Sequence, residues 1–221
     1  MQKSIEFVKN LDKIIILAQG PSWYQCPDLI PGNEGVEIWG SNTIYRDHAV
    51  DRIFFAHDPR DHFFDDDMNL FENLNKIGVP VYTMGVYKPL ENSAQIPVTE
   101  ILDEFKVGFF LNVIAWMMAT ALLQKPKSID MYGVDMRPDA DIEYFKNEKG
   151  TMDFWCGVVK GMGIPLKNTK ESYVMKTKQE GNFPGYRDKV PQNGLATLIP
   201  KEDRNMIGLR TYAILPVGDE I

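Results

Sequence analysis

The run Lys13-Ile14-Ile15-Ile16-Leu17-Ala18-Gln19-Gly20-Pro21-Ser22-Trp23 decides the fold. Four apolar, mostly β-branched residues in succession describe a strand buried on both faces, the kind that lies inside a parallel sheet. Gly20 then allows a sharp exit through dihedrals that a side chain resists. Pro21 presets φ for the first turn of whatever follows, and Ser22 adds a hydroxyl beside free backbone N–H groups. In an open α/β sheet this point, outside the carboxyl end of a strand, is where ligands bind. A turn of backbone donors there favours an anion such as phosphate. The full G-x-G-x-x-G fingerprint is absent, so an ordinary strand-to-helix turn that needs a glycine is the alternative.

Working outward, Val36 to Gly40 alternates as a second strand and ends in Ser41-Asn42. Asp51 to Asp58 is a third strand candidate, Leu70 to Ile77 a short helix, and Val79 to Thr83 a fourth strand. Residues 86–100 read as loop, with Thr99 capping a short helix over Glu100 to Glu104. Phe109 to Leu123, rich in Ala, Met and Leu and free of proline, is the strongest helix. It is apolar nearly all round, which predicts burial against a sheet. Ser128 to Asp135 is a fifth strand, Asp153 to Gly161 another helix, and Ile164 to Leu166 a short final strand. This alternation predicts a doubly wound, mostly parallel α/β sheet over residues 1–168. Residues 169–221 carry no helical period and one apolar run, Thr211 to Val217. They read as an irregular C-terminal extension that packs on the domain, on a partner or on a second copy.

The chain is 221 residues long, 44% hydrophobic and 25% charged, which describes one large domain or a domain with an appendage. A chain of this size hides roughly 70% of its unfolded surface on folding. A net charge of −7 argues against non-specific nucleic-acid binding through a basic face. The two cysteines, Cys26 and Cys156, are far apart and fit no metal-ligand spacing, so free thiols in a reducing compartment are expected. Met1 to Asn10 lacks the pattern of a secretory signal. The most apolar stretch, Val107 to Leu123, is short for a membrane span. The expectation is a cytoplasmic protein.

Four strands end in groups able to recognise a ligand: Gly20-Pro21-Ser22, Gly40-Ser41-Asn42, His57-Asp58 and Gly133-Val134-Asp135. Parallel neighbours would bring these ends to one edge of the sheet. Each has a plainer role, however. Asn42 could cap a helix, His57 could pack beneath a loop, and Asp58 and Asp135 could form turns. Asp65-Asp66-Asp67 lacks the spacing of a calcium loop and reads as a solvated segment. Glu143, Tyr144, Lys146 and Glu148 follow the fifth strand, and a carboxylate among them could act as a general base. The expected site therefore has Gly20, Pro21, Ser22, Asn42, Asn112 and Asp135 around a ligand, with His57 or Glu143 deprotonating an acceptor. No metal ligands are assigned.

The segments Ile16 to Ser22, Trp39 to Asn42, Asp51 to Asp58, Phe110 to Ala121 and Ile129 to Met136 occur in an order that resembles a Rossmann-like group. So do Tyr144, Phe154 to Gly157 and Gly161 to Ile164. That group includes the Campylobacter-type bacterial sialyltransferases and the archaeal 6-hydroxymethylpterin pyrophosphokinase-like proteins. Small proteins of this design look common in tailed bacteriophages, which implies a bacteriophage member. The resemblance covers residues 13 to about 168. It implies a cytidine nucleotide held by Gly20, Pro21, Ser22 and Asn42, with Asn112 and Asp135 shaping the nucleotide and sugar pocket. The leading expectation is a nucleotide- or nucleotide-sugar-dependent, glycosyltransferase-like transferase. One alternative is a non-catalytic nucleotide-binding, sequestering or structural protein, assembling through its tail as a homo-oligomer. The other is a pyrophosphokinase needing Mg2+ on carboxylates such as Asp58 and Asp135.

Overall fold

The computed structural model describes residues 11–59, 69–137 and 143–176, with side chains from Glu148 onward in the last stretch. Seven strands form one parallel sheet: β1 Lys13–Leu17, β2 Val36–Ser41, β3 Arg52–Phe55, β4 Val81–Thr83, β5 Ser93–Gln95, β6 Ile129–Tyr132 and β7 Leu166–Lys167. Their order across the sheet is β5-β4-β3-β2-β1-β6-β7. The chain winds outward from β1 through β5, then returns to the other side of β1 and winds outward again. β1 is therefore the switch point, where an open parallel sheet leaves a crevice beyond its carboxyl ends. The doubly wound sheet expected from the sequence is the one found.

Alternation along the strands feeds two cores. Ile14, Ile16, Trp39, Phe54, Tyr82 and Met131 point to the face covered by α2 (Val98–Phe105), α3 (Val113–Leu123) and α4 (Glu143–Gly161). Ile15, Leu17, Ile38, Ile53, Phe55 and Val81 point to the other face, under α1 (Leu70–Ile77) and the irregular segments after β1 and β2. On the first face Trp39, Phe54 and Tyr82 stack across three strands at 5.1 and 4.7 Å between ring centres. Beside them Arg52 meets Glu37 bidentately at 2.7 and 2.8 Å and donates to the Tyr82 hydroxyl at 2.7 Å. α3 buries nine of its eleven residues. Each large side chain so buried contributes about 1.5–3 kcal/mol, so packing rather than propensity holds this helix in place.

Several boundaries differ from the sequence reading, and α2 opens at Val98 after Pro97 rather than at a Thr99 cap. The best helix starts at Val113, because Asn112 is extended and its Oδ1 accepts the Ala115 N–H at 2.9 Å, capping the helix there. Phe109 to Leu111 stay outside it, and Phe110 stacks on Trp116 and Trp155. The loop expected over 86–100 contains β5, an edge strand of Ser93, Ala94 and Gln95 that pairs with β4. Such a short polar strand shows no apolar alternation. α4 begins ten residues before the expected Asp153, running through Gly150, a residue that ordinarily weakens a helix by about 1 kcal/mol.

The chain divides at residue 176 into two units, 1–176 and 177–221. The second, with most of the expected extension and its run Thr211 to Val217, lies outside the described residues, as do Asp65 to Asp67. Among the described residues no helix is long and apolar enough to cross a membrane.

Candidate functional site

The carboxyl ends of β1, β2, β3 and β6 open into one cleft of about 620 Å³, within the range of small-molecule sites. Gly20 and Pro21 come from the turn after β1, Ser41 and Asn42 from the end of β2, and His57 from beyond β3. Gly133 and Asp135 follow β6, while Asn112, Val113 and Ile114 open α3 and Glu148 belongs to α4. Of the expected site residues, Gly20, Pro21, Asn42, His57, Asn112 and Asp135 thus line one cavity. Ser22 is buried beneath it, and the side chain of Glu143 lies outside the described residues. Gln19, Met136 and Arg137 line the cleft without having been singled out. Their signal was adjacency, since each sits within two residues of a strand-end residue already named.

The β1 turn is built differently from its sequence reading. Gly20 has φ −64° and ψ 157°, a conformation open to any residue. Space is what excludes a side chain: a Cβ there would collide with the Gly133 carbonyl and lie 2.7 Å from Asp135 Oδ2. Gly133 needs glycine twice over, for φ +68° and for its contact with the Ala18 carbonyl. The turn's backbone donors, expected to be free, are engaged within the protein. Gly20 N–H donates to Gly133 O at 2.8 Å, Ser22 N–H to Asp135 Oδ2 at 2.8 Å and Trp23 N–H to Gly20 O at 3.0 Å. The Ser22 hydroxyl donates to Asp135 Oδ1 at 2.5 Å while accepting from Gly133 N–H and from the Thr169 hydroxyl, both at 3.1 Å. Ser22 and Asp135 therefore form a clasp that ties the β1 and β6 turns together.

The unanswered polar groups are elsewhere in the wall. Asn42 follows β2 with φ +50°, a left-handed conformation that asparagine tolerates better than most residues. It caps no helix, and its Oδ1 is buried without a hydrogen-bond partner. Asn112 uses Oδ1 for its cap, which leaves Nδ2 buried and likewise unpartnered. Both residues line the cavity, while these two atoms are themselves closed off from solvent. The first turn of α3 adds the positive end of a helix dipole beside Asn112. Glu148 is buried in the wall, and His57 is exposed at the rim.

Neither cysteine belongs to the cleft. Burial, reinforced by nearby aspartates, pushes the thiols of Cys26 and Cys156 up to about 12, so both stay protonated at neutral pH. Among the described residues no group of three His, Cys, Asp or Glu side chains is placed to hold a metal ion.

Two solved structures of the sialyltransferase CstII from Campylobacter jejuni resemble this chain. The complex with the substrate analogue CMP-3FNeuAc has a TM-score of 0.44 and 14% identity, covering 71% of this chain and 79% of that one. The complex with cytidine-5'-monophosphate has a TM-score of 0.44 and 12% identity, covering 90% of this chain and 98% of that one. No protein-family model matches the chain, and no curated protein matches it.

Proposed function

We propose that the cleft binds a nucleotide or nucleotide-sugar donor and that the chain is a glycosyltransferase-like transferase acting on it. The observation that supports this reading is the convergence of the β1, β2, β3 and β6 ends on one cleft at the sheet's switch point, with the amide residues Asn42 and Asn112 in its wall. Gly20 and Pro21 supply the backbone wall against which the donor lies. Ser22 and Asp135, expected as direct contacts, act in this proposal by holding that wall.

The chemistry follows from the groups available. In the transfer proposed, the acceptor oxygen displaces the leaving phosphate directly at the donor carbon. His57 takes the proton of an acceptor hydroxyl while its oxygen bonds to the donor carbon. The bond from that carbon to the phosphate oxygen breaks, and the leaving phosphate gains negative charge at the N-terminus of α3 beside Asn112 Nδ2. Glu143, which opens α4, is the second candidate for the base.

The test is a thermal-shift screen of the full chain against cytidine, uridine, guanosine and adenosine mono-, di- and triphosphates, with and without Mg2+. A ligand at 100 times its dissociation constant stabilises by about 2.7 kcal/mol, and Asn42→Ala or Asn112→Ala should remove most of that shift. No shift with any nucleotide overturns the proposal. Donor turnover lost in His57→Ala with binding retained supports the transferase assignment, and Glu143→Gln distinguishes the second base. Binding without turnover favours the non-catalytic alternative.

A further inference from the structure

The clasp under the cleft has a support that neither the strand-end motifs nor the proposed chemistry includes. After β7 the chain runs back beneath both glycine turns as Asn168 to Val174. Ser172 is fully buried, and its hydroxyl donates to Val134 O at 2.6 Å while accepting from Asn168 Nδ2 at 2.7 Å and Val174 N–H at 3.2 Å. Tyr173 N–H donates to Asp135 O at 2.8 Å. Gln25, just after the β1 turn, donates to Glu171 at 3.0 Å. This segment is anchored to the β6 turn through backbone carbonyls and touches the β1 turn through a side chain. The buried contact of that second kind is the Thr169 hydroxyl, 3.1 Å from Ser22 Oγ.

We propose that Thr169 is a positioning residue for the ligand cleft, acting through Ser22 and Asp135. Its hydroxyl begins a chain of two O–H bonds, Thr169 to Ser22 to the Asp135 carboxylate. Hydrogen bonds in such a chain polarise one another, so a donor on Ser22 Oγ strengthens the Ser22 bond to Asp135. That donor, with Gly133 N–H, also occupies the acceptor capacity of Ser22 Oγ and leaves its proton one destination. Gly20 and Pro21, the cleft wall immediately before Ser22, are then fixed relative to Gly133 and Asp135. Thr169 is itself buried and touches no part of the cavity. Its effect on a ligand is therefore indirect.

The inference rests on the nucleotide reading for its ligand but not for its geometry, and the experiment separates the two. Thr169→Val keeps the shape and removes the donor, whereas Thr169→Ser keeps the donor. Amide hydrogen exchange of the full-length protein reads Ser22 N–H and Gly133 N–H against Ile53 N–H, which bonds Pro80 O in a distant part of the sheet. Thr169→Val is expected to speed exchange at Ser22 and Gly133 about tenfold and leave Ile53 unchanged. Thr169→Ser is expected to match the wild type. Calorimetric titration with the nucleotide that gives the largest thermal shift should show affinity about five- to tenfold weaker in Thr169→Val and restored in Thr169→Ser. Unchanged exchange at Ser22 and Gly133 overturns the positioning role, as does loss of protection at all three amides, which marks a merely structural residue. Altered exchange with unaltered affinity overturns the link to the ligand. A wild-type chain that binds no nucleotide overturns the functional proposal, while the exchange result still decides the role of Thr169.

Discussion

Removing either half of the Ser22–Asp135 clasp should cost more than a surface hydrogen bond, and removing both should cost less than the sum. Ser22 gives its N–H and its O–H to the same buried carboxylate, at 2.8 and 2.5 Å. Bonds to a charged acceptor contribute about 1.5–3 kcal/mol each. Ser22→Ala loses the O–H bond and leaves Gly133 N–H without its acceptor, so the expected loss is about 3 kcal/mol. Asp135→Ala loses both bonds and orphans the Ser22 N–H, for about 4 kcal/mol. The bond between Oγ and Oδ1 is counted in each single variant. The double variant should therefore be about 2 kcal/mol more stable than additivity predicts. Urea unfolding with linear extrapolation on the four proteins measures this directly. Losses of this size fall within the 5–15 kcal/mol of an ordinary domain, so the single variants remain folded at low urea. Additivity within about 0.5 kcal/mol would refute the claim that the two turns are coupled through this clasp.

Asn42→Gly should raise the unfolding free energy by up to about 1 kcal/mol, because it relieves a left-handed backbone and removes a buried orphan oxygen; it should also weaken nucleotide binding. Arg52→Met, which takes the cation from Glu37 and leaves its carboxylate the Trp39 indole N–H, should cost about 3–5 kcal/mol in the same unfolding assay, whereas replacing Arg52 and Glu37 together by apolar residues should cost much less. Burial holds the Cys156 thiol up at about 12 against an ordinary value of 9.0, so the unfolded chain gives up its proton first. Stability should then fall as pH rises from about 9 towards 12, and fall less steeply in Cys156→Ala, as read from unfolding midpoints at stepped pH.

The sheet was legible because its central strands are continuous apolar runs with polar residues at one end, a pattern that burial on both faces imposes. β5 was not, since an edge strand of Ser, Ala and Gln need not be apolar. The start of α3 was hidden for a related reason. Phe109 to Leu111 are as apolar as the helix that follows, and the capping bond of Asn112 decides the boundary. At the cleft, the strand-end segments could be grouped from the sequence, but not their division of labour. Gly20, Ser22 and Asp135 stand at positions that suggest a ligand, yet their contacts are with one another. That pairing joins residues more than a hundred positions apart, and no local pattern encodes it. Asn42 and Asn112 could be singled out as strand-end and helix-start amides, but which of their atoms lacks a partner depends on three-dimensional packing.

The order of synthesis runs against the order of the sheet. β1 is made first and finishes in the middle, with Ile14 pairing Val36's neighbour Glu37 on one side and Ile129 on the other. A growing chain can complete the first partnership early, but the second waits until β6 has left the ribosome. Until then the most apolar strand of the protein offers an open edge to any other extended chain. Parallel pairings of such long sequence separation form slowly, and exposed strand edges are where nascent domains associate wrongly. Ribosome-bound chains truncated before Ile129 should therefore engage holding chaperones, and chains extended past Lys167 should release them; equal association at both lengths would show that the early strands are shielded in some other way.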